Sequence, residues 1–272
     1  AVVGYTRFLV TFMREARPPF VMAAFDESLG SGFRHRLYAG YKSNRALPDE
    51  ALAFQLKACR RITELMGIKS YACANYEADD YIASAARLAR KEQLAVTVVS
   101  RDKDLVQVMV AENDEWWDYA GATRLRKAQW ESAQQMKVEQ VADYLALMGD
   151  SVDAIPGVPG IGKLGASRLL AAYGDIDGIY RNLEALPESG IRSARRIQQA
   201  LMEHKDQLLL ARRLTGLYDR AIPDTDCGLF GYSRFTKGRS TQGAATQGAA
   251  TRALADYLQE IGCGVHWTQT IA

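Results

Sequence analysis

Hydrophobic positions in the first half of the chain follow two periods, and each period predicts one type of element. Apolar residues at helical spacing predict helices over 1–17 and 49–66, and another begins after 77. Continuous apolar runs at 20–25 and 94–99 predict buried strands, and a shorter run predicts a strand over 68–72. Strands buried on both faces are typical of parallel sheets. This half therefore predicts an α/β core.

The second half of the chain is predicted to be mainly helical. Helical patterns cover 138–149, 163–173 and much of 174–218, and a glycine-rich turn, Gly157–Gly162, separates the first two. A repeated Thr-Gln-Gly-Ala-Ala over 237–251 predicts a flexible linker before a short final helix. We divide the sequence into a core at 1–137, a helical region at 138–220 with a hairpin at 156–163, and a C-terminal segment at 221–272.

Composition narrows the class of protein. The chain has 272 residues, of which 48% are hydrophobic and 24% charged, as in ordinary globular proteins. A net charge of +2 is too small to indicate nucleic-acid binding, so any basic surface is local. No long apolar run or leader points to a membrane. Four scattered cysteines without a CxxC pair argue against zinc and predict a reducing, cytoplasmic setting.

Carboxylates are concentrated at the ends of predicted elements. Like charges this close repel, and all-oxygen sites select hard cations such as Mg²⁺ or Mn²⁺. Two such ions support hydrolysis of a phosphodiester. The alternative is that these acids are separate helix caps and surface charges. The candidate metal ligands are Asp26, Glu77, Asp79, Asp80, Asp102, Asp104, Asp150 and Asp153.

Two further stretches predict contacts with nucleic acid. Cations and aromatic residues are mixed over 33–45, where the cations can meet phosphates and the rings can stack on bases. A solvated basic loop is the alternative. The turn Gly157–Gly162 leads into a helix at Lys163, so its backbone N–H groups can hold a nucleic-acid backbone without reading bases. The candidates in the first stretch are Arg34, Arg36, Tyr38, Tyr41, Lys42 and Arg45.

These motifs, taken in order, resemble the 5′ nuclease superfamily, which includes the 5′-3′ exonuclease domain of bacterial DNA polymerase I and flap endonucleases. The resemblance rests on Phe25-Asp26, Phe33-Arg34-His35 with Tyr41 to Arg45, Glu77 to Asp80, Ser100 to Leu105, and Gly149 to Gly162. It implies a parallel twisted sheet with helices on both faces, a PIN-like core, and a helical DNA-binding region with a helix–hairpin–helix-like motif. The eight acids match the family's metal-site positions, which implies two divalent ions.

The resemblance also implies roles for the basic residues and the hairpin. Lys42 matches a basic residue near the scissile phosphate, and Arg45 follows it in the same segment. The hairpin resembles an element that holds duplex DNA, often with K⁺ bound by backbone carbonyls, here those of Val158 and Ile161. Its DNA-contacting positions are Gly157, Val158, Gly160, Ile161, Gly162 and Lys163.

The implied protein is a monomeric, metal-dependent 5′-3′ exonuclease or flap endonuclease of replication and repair, acting on DNA with 5′ flaps, nicks or single-stranded 5′ ends. One feature departs from the family. Its members begin with a strand that carries a further aspartate ligand, whereas this sequence starts at the family's first long helix. We expect the native protein to extend further, as a stand-alone enzyme rather than a polymerase fragment. The alternative is a DNA-binding module of the same fold with impaired catalysis, and cleavage of RNA is a weaker third.

Overall fold

A computed structural model describes residues 1–28, 30–225 and 252–263, and the chain divides between two units. The first unit contains Ala1–Glu27, Leu47–Cys73 and Ile222–Ala272, and the second contains Ser28–Ala46 and Ala74–Ala221. Each unit therefore combines segments that are distant in the sequence. The predicted linker at 237–251 lies outside the described residues.

The described residues form the following helices and strands. In chain order they are α1 (Val2–Ala16), β1 (Met22–Ala24), α2 (Phe33–Leu37), α3 (Glu50–Leu65), β2 (Lys69–Tyr71), α4 (Ala78–Lys91), β3 (Thr97–Val99), β4 (Glu115–Asp118), β5 (Thr123–Arg126), α5 (Lys127–Gln134), α6 (Val141–Met148), α7 (Lys163–Tyr173), α8 (Ile176–Arg181), α9 (Ala194–Glu203) and α10 (Lys205–Thr215). Short 3₁₀ helices cover Asp104–Val108, Val138–Gln140 and Leu186–Glu188. Residues 252–260 form a further helix.

The first unit contains a pair of helices and a two-stranded sheet. α1 lies against α3, and the Asp49 side chain begins α3 by accepting a hydrogen bond from Leu52 N–H at 2.7 Å. β1 and β2 pair in parallel, with Met22 opposite Lys69. Asp26 comes two residues after β1 ends, which confirms that it follows the carboxyl end of a strand.

The second unit begins with a three-stranded sheet and the helices next to it. β3 pairs in parallel with β4, and β4 pairs antiparallel with β5. Trp116 is the register partner of Val98 on one side and Leu125 on the other. Its buried ring belongs to an apolar core that also contains Leu105 and Trp130. This core holds the 3₁₀ helix at Asp104–Val108, which follows the predicted strand.

The rest of the second unit is helical. α6 packs against α7 and α10, and one buried apolar cluster includes Leu147, Leu169, Leu201 and Leu208. Helical spacing of apolar residues produced these buried faces, as the sequence predicted. The prediction of a helix over 163–173 matches α7, whereas the start of the helix predicted over 138–149 is a 3₁₀ turn.

The pairs β1–β2 and β3–β4 are parallel, as predicted, and the strand arrangement adds two details that the prediction did not contain. The described strands form two sheets, β1–β2 and β3–β4–β5, and one of the pairs is antiparallel. The antiparallel pair arises because residues 119–122 form a short turn, in which Gly121 N–H donates to Asp118 at 2.9 Å. So short a connection permits only antiparallel pairing. The α/β class and the helical second region are confirmed, and the boundaries at 137 and 220 stay predictions.

Among the residues described, no helix combines the length and the apolar character needed to cross a bilayer.

Candidate active site

Arg34 and Asp80 form a buried ion pair. The Nη1 and Nη2 atoms of Arg34 donate to the two carboxylate oxygens of Asp80 at 2.7 Å each. The two side chains are 3% and 0% exposed. Paired guanidinium–carboxylate bonds fix orientation as well as distance. The pair therefore joins α2 to the first turn of α4.

The same pair also binds the chain at the end of α10. Arg34 donates from Nε to the Leu214 carbonyl at 3.0 Å and from Nη2 to the Gly216 carbonyl at 2.9 Å. Tyr218 N–H donates to Asp80 Oδ1 at 2.9 Å. Buried charges are tolerated when their polar atoms have partners. Arg34 and Asp80 thus link three segments of the second unit.

Glu77 precedes α4 and contacts a tyrosine and a lysine. Its N–H donates to Asp80 at 3.1 Å in a capping box at the helix start. Its carboxylate accepts from Tyr41 Oη at 2.9 Å and from Lys42 Nζ at 2.8 Å. Burial raises the pKa of the Tyr41 phenol, so the phenol remains a proton donor to Glu77.

Asp153 meets the same basic segment from the other side. Lys42 N–H donates to the Asp153 carbonyl at 2.8 Å, and Lys42 Nζ lies 3.9 Å from its carboxylate. Tyr41 Oη lies 3.3 Å from this carboxylate, and Arg45 forms an ion pair with it. Burial raises the pKa of Asp153, and Lys42 and Arg45 oppose that rise. Tyr41 and Lys42 therefore bring Glu77 and Asp153 together.

A second group of acids carries uncompensated charge. Burial raises the pKa of the Asp104 carboxyl to about 6. The carboxylates of Asp102, Asp150 and Asp153 act in the same direction. Within 30–225, no ion pair joins a cation to Asp102, Asp104 or Asp150. The carboxylates of Asp102 and Asp150 accept backbone N–H bonds instead, from Asp104 N–H at 2.9 Å and from Val152 N–H at 2.8 Å respectively.

The donor chemistry of this second group fits a hard divalent cation. Carboxylates that lie close together repel one another and are stabilised by a nearby positive charge, and oxygen donors suit Mg²⁺ and Mn²⁺. Glu77 and Asp80 differ, because Lys42 and Arg34 already compensate their charge. Among the described residues, no three histidine, cysteine or acidic side chains are already grouped as a metal site. The eight-acid ligand set therefore stays a prediction.

The two remaining candidate ligands occupy different environments. Asp26 is exposed and belongs to the first unit, after β1. Asp79 is half-buried in the first turn of α4, between Ala78 and Asp80. Both positions follow from the local pattern, since one ends a strand and the other begins a helix. The structure brings Glu77 and Asp153 to the same lysine, and it brings Asp150 and Asp153 into the electrostatic surroundings of Asp104.

Several residues predicted to contact DNA have other contacts here. Arg34 and Tyr41 are only 3% exposed each, and their polar groups are bonded to acids, so they position protein groups. Tyr38 is partly buried against the apolar cluster of the helical half. Arg45, in contrast, has a 49% exposed side chain, which leaves it accessible to a phosphate. The basic loop is thus partly a structural link to the acids.

The hairpin after α6 depends on a close approach of two backbone segments. Asp150 and Ile155 exchange two backbone hydrogen bonds, at 2.9 and 2.8 Å. A Cβ at Gly157 would lie 2.3 Å from the Met148 carbonyl carbon, so only glycine fits there. Gln207 of α10 donates to the Gly157 carbonyl at 2.7 Å. These contacts fix where the hairpin begins.

The hairpin has a buried side and an exposed side. Val158 and Ile161 are each 3% exposed, whereas Gly160, Gly162 and Lys163 are exposed. Ile161 N–H donates to the Val158 carbonyl at 3.0 Å. The exposed residues lead into the N-terminus of α7, where backbone N–H groups favour anions. DNA contact there, and K⁺ at the carbonyls of Val158 and Ile161, stay predictions.

Sequence reasoning missed two features of this region. It did not predict that Arg34 would pair with Asp80, because Arg34 lies in a stretch rich in cations and nothing local distinguishes it from its neighbours. It also missed an aromatic cluster of Phe33, Tyr76 and Tyr218, whose rings lie 5.2 to 6.0 Å apart. No local pattern marks Tyr218, because its partners lie more than 100 residues earlier.

Comparison with known proteins gives one consistent family. The model for the 5′-3′ exonuclease N-terminal resolvase-like domain matches residues 1–143, and the model for the 5′-3′ exonuclease C-terminal SAM fold matches residues 136–229. DNA polymerase I of Mycobacterium leprae is 32% identical over 220 residues, which are 80% of this chain and 23% of that protein. Thermostable DNA polymerase I of Thermus aquaticus is 33% identical over 211 residues, 78% of this chain and 24% of that protein. The chain thus spans about a quarter of these relatives.

Solved structures share the fold. The T5 D15 protein, co-crystallised with metal ions, superposes with a TM-score of 0.66 at 18% identity, covering 94% of this chain and 92% of that one. The catalytic core of Rad2 in complex with a DNA substrate superposes with a TM-score of 0.56 at 12% identity, covering 99% of this chain and 82% of that one. Identities this low establish similarity of fold.

Proposed function

The chain belongs to the 5′-3′ exonuclease family, and on that basis we propose that it is a structure-specific 5′ nuclease that hydrolyses phosphodiester bonds of DNA. Its substrates are 5′ flaps, nicks and single-stranded 5′ ends, in replication and repair. The observation that carries the proposal is the convergence of Lys42, Glu77 and Asp153 in the unit that also holds the uncompensated Asp102, Asp104 and Asp150. Such a site combines cation-binding acids with a fixed positive charge.

The acids are the groups that would hold divalent cations. Asp102, Asp104 and Asp150 fit this role directly, since no cation of the described residues pairs with them. The other predicted ligands are Asp26, Glu77, Asp79, Asp80 and Asp153. When bound, Mg²⁺ or Mn²⁺ supplies Lewis-acid charge that favours attack of water on a phosphodiester.

Lys42 and Arg45 act on the phosphate. The Lys42 ammonium is fixed at 2.8 Å from Glu77, and its side chain is 16% exposed, so it keeps some access to solvent. A fixed cation offsets the negative charge that develops as a phosphodiester is attacked. Arg45 is bonded to Asp153 and is more exposed than Lys42, and it orients the DNA strand next to Lys42. The two residues thus connect DNA binding to the acids.

The hairpin at 156–163 holds the duplex portion of the substrate. Its exposed residues, Gly160, Gly162 and Lys163, present backbone and side-chain donors at the start of α7. Donors of this kind bind phosphates irrespective of base sequence. The buried Val158 and Ile161 keep the turn rigid. Recognition by structure rather than by sequence follows from this arrangement.

A cleavage assay tests the proposal. A DNA with a labelled 5′ flap is incubated with the purified chain in Mg²⁺ or Mn²⁺, and in parallel with excess EDTA. We expect release of the flap with either cation and none with EDTA. Equal cleavage in the presence of EDTA would contradict a metal-dependent mechanism.

One observation favours a second candidate, a DNA-binding module without catalysis. Glu77 and Asp80 are already compensated by Lys42 and Arg34, which leaves fewer acids available to a cation. This candidate predicts that the chain binds flap DNA in a salt-sensitive manner but releases no product in Mg²⁺ or Mn²⁺. The same cleavage assay, run beside a binding assay, separates the two candidates.

A further inference from the structure

A pocket opens in the second unit beside the buried ion pair. Its volume is about 550 Å³, within the range of roughly 300–1,000 Å³ typical of sites for small molecules. Its lining comes from α2, from the loop before α4 and from the end of α10 with the residues after it. None of the described residues that line it is acidic. Two groups dominate the lining: the rings of Phe33, Tyr76 and Tyr218, and the cations of Arg36, Arg212 and Arg213.

The three rings form a continuous aromatic surface. Tyr76 and Tyr218 are stacked, with centroids 5.2 Å apart and planes 12° apart. Phe33 lies 6.0 Å from Tyr76 and 5.9 Å from Tyr218 in inclined arrangements. Tyr218 is 38% exposed, so part of its surface is available to another planar group. Stacked rings of this kind accept any nucleobase, because every base has a π face.

Two of the three cations beside these rings, Arg36 and Arg212, are held in place by the protein. Arg36 donates to the Ser31 carbonyl at 2.9 Å and also bonds the Asn75 side chain. Arg212 is bonded to Asp143. A Cβ at Gly216 would lie 2.7 Å from Arg212 Nη1, so the glycine leaves room for this guanidinium.

Arg213 completes the positive charge of the pocket and is exposed. Its side chain makes no hydrogen bond or ion pair with any residue in the described ranges. Only one lining arginine, Arg212, is therefore neutralised by a carboxylate within those ranges. A planar surface beside Arg36 and Arg213, which no carboxylate of those ranges neutralises, matches a ligand with one ring and one anionic group.

Each ring is also adjacent to the buried ion-pair cluster. Phe33 directly precedes Arg34, Tyr76 directly precedes Glu77, and Tyr218 N–H donates to Asp80. A ligand in the pocket would therefore contact rings whose neighbours in sequence, or whose own backbone, take part in the buried ion-pair cluster.

We infer that this pocket binds one unpaired nucleotide of a DNA strand, with its base on the tyrosine stack and its phosphate among the arginines. The inference rests on the proposed nuclease function, because it adds a contact for the single-stranded part of the same substrate. A base must leave the duplex to stack on a protein ring, so the ligand is single-stranded. A free nucleoside monophosphate has the same chemistry, but the exposed Arg213 suits a backbone that continues past the pocket.

Binding of a fluorescein-labelled single-stranded oligo-dT, measured by anisotropy in EDTA, tests this inference without cleavage. Tyr218→Ala removes the exposed ring and keeps the N–H that bonds Asp80. We expect its affinity to fall about tenfold, the loss typical of one base stack. Tyr218→Phe keeps the ring and should bind like the wild type.

The arginine is tested separately. Arg213→Ala should reduce the slope of log affinity against log salt by about 0.7, the value for one phosphate contact on a single strand. Arg181→Ala is the matched control, since Arg181 lies on α8 outside the pocket with a 70% exposed side chain. It should leave the slope unchanged. Because Arg213 is exposed, this variant remains informative even if Tyr218→Ala melts at a lower temperature.

Three results would overturn the inference. The first is wild-type binding of oligo-dT by a folded Tyr218→Ala variant. The second is an equal change of slope in Arg213→Ala and Arg181→Ala. The third is displacement of the oligomer by equimolar free dTMP, which would assign the pocket to a mononucleotide. If the chain cleaves flaps but gives any of these results, only the assignment of the pocket is contradicted. If it shows the expected binding but never cleaves, only the proposed nuclease function is contradicted.

Discussion

The guanidinium of Arg34 binds the carboxylate of Asp80 through two bonds of 2.7 Å, across 46 positions of sequence. The pair joins α2 to α4, and Arg34 also reaches two carbonyls at the end of α10. Tyr41 and Lys42 follow α2 in the chain and contact Glu77, which directly precedes α4. The buried pair therefore acts together with these contacts to position the basic loop relative to the acids.

Replacing Arg34 by Met should destabilise the protein strongly. The substitution leaves the Asp80 carboxylate buried without its partner, which costs about 3–5 kcal/mol of unfolding free energy. Equilibrium unfolding in urea measures the loss. Arg60→Met is the matched control, because the Arg60–Glu27 pair is 30% and 40% exposed and such pairs contribute about 0–1 kcal/mol. Equal losses in the two variants would mean that the buried pair does not organise the site.

Asp104→Asn should stabilise the protein when no divalent cation is present. Burial and neighbouring carboxylates raise the pKa of Asp104 to about 6, so its ionised form opposes folding at neutral pH. Removing a penalty of about 1 kcal/mol raises the melting temperature by about 2–4 °C. Thermal melts in EDTA measure this change, with Asp177→Asn, an exposed carboxylate on α8, as the control.

The same variant has a defined pH dependence. The cost in unfolding free energy of ionised Asp104 is fully present above about pH 6. It disappears as the pH falls toward 3.8, the ordinary pKa of the aspartate side chain, because the folded protein takes up the proton at a higher pH than the unfolded chain does. The gain of Asp104→Asn over the wild type should shrink across that window. Addition of Mg²⁺ should raise the melting temperature of the wild type more than that of the variant. A variant less stable than the wild type in EDTA at neutral pH would contradict the account of uncompensated charge.

Lys42→Met should slow cleavage while flap binding persists. The substitution removes a fixed cation beside Glu77 and Asp153, and loss of one such electrostatic group typically lowers the rate roughly 10²-fold or more. Single-turnover cleavage of a flap substrate gives the rate, and anisotropy gives the affinity. Lys57→Met, at an exposed position of α3, serves as the control. Wild-type cleavage by Lys42→Met would remove this residue from the proposed mechanism.

Gly157→Ala should disrupt the hairpin. The added Cβ would lie 2.3 Å from backbone of Met148, and overpacking of this kind costs about 1–3 kcal/mol. Gly165→Ala provides the contrast, since its Cβ meets only Ile161 Cγ2 at 3.5 Å. We expect the first variant to lose stability and duplex affinity and the second to retain both. The comparison uses urea unfolding and binding of blunt duplex DNA.

The sequence predicted the features that depend on local pattern. α7 was predicted with its observed bounds, and the position of Asp26 after β1 followed from an apolar run that ends in an acid. The hairpin after α6 followed from glycine spacing. In each case the information lies within about ten neighbouring residues, where periodicity and turn chemistry act.

Features that depend on distant partners were not predicted. The division of the strands into two sheets depends on which edges pair, and the period of a strand does not specify its neighbour. Arg34 was expected to meet phosphate, because sequence gives its charge but not its burial against Asp80. Tyr218 joined the aromatic cluster through contacts with Phe33 and Tyr76, which no local rule connects to it.

The most direct test of the central claim compares the wild type with Asp102→Asn on one 5′-flap DNA in Mg²⁺. Asp102 is exposed and belongs to the uncompensated acids, so the substitution removes a candidate ligand without breaking an ion pair. We expect the wild type to release the flap, whereas Asp102→Asn should bind the same DNA with salt-sensitive affinity close to wild type and release none. Cleavage by Asp102→Asn at the wild-type rate, or no cleavage by either protein, would contradict the central claim.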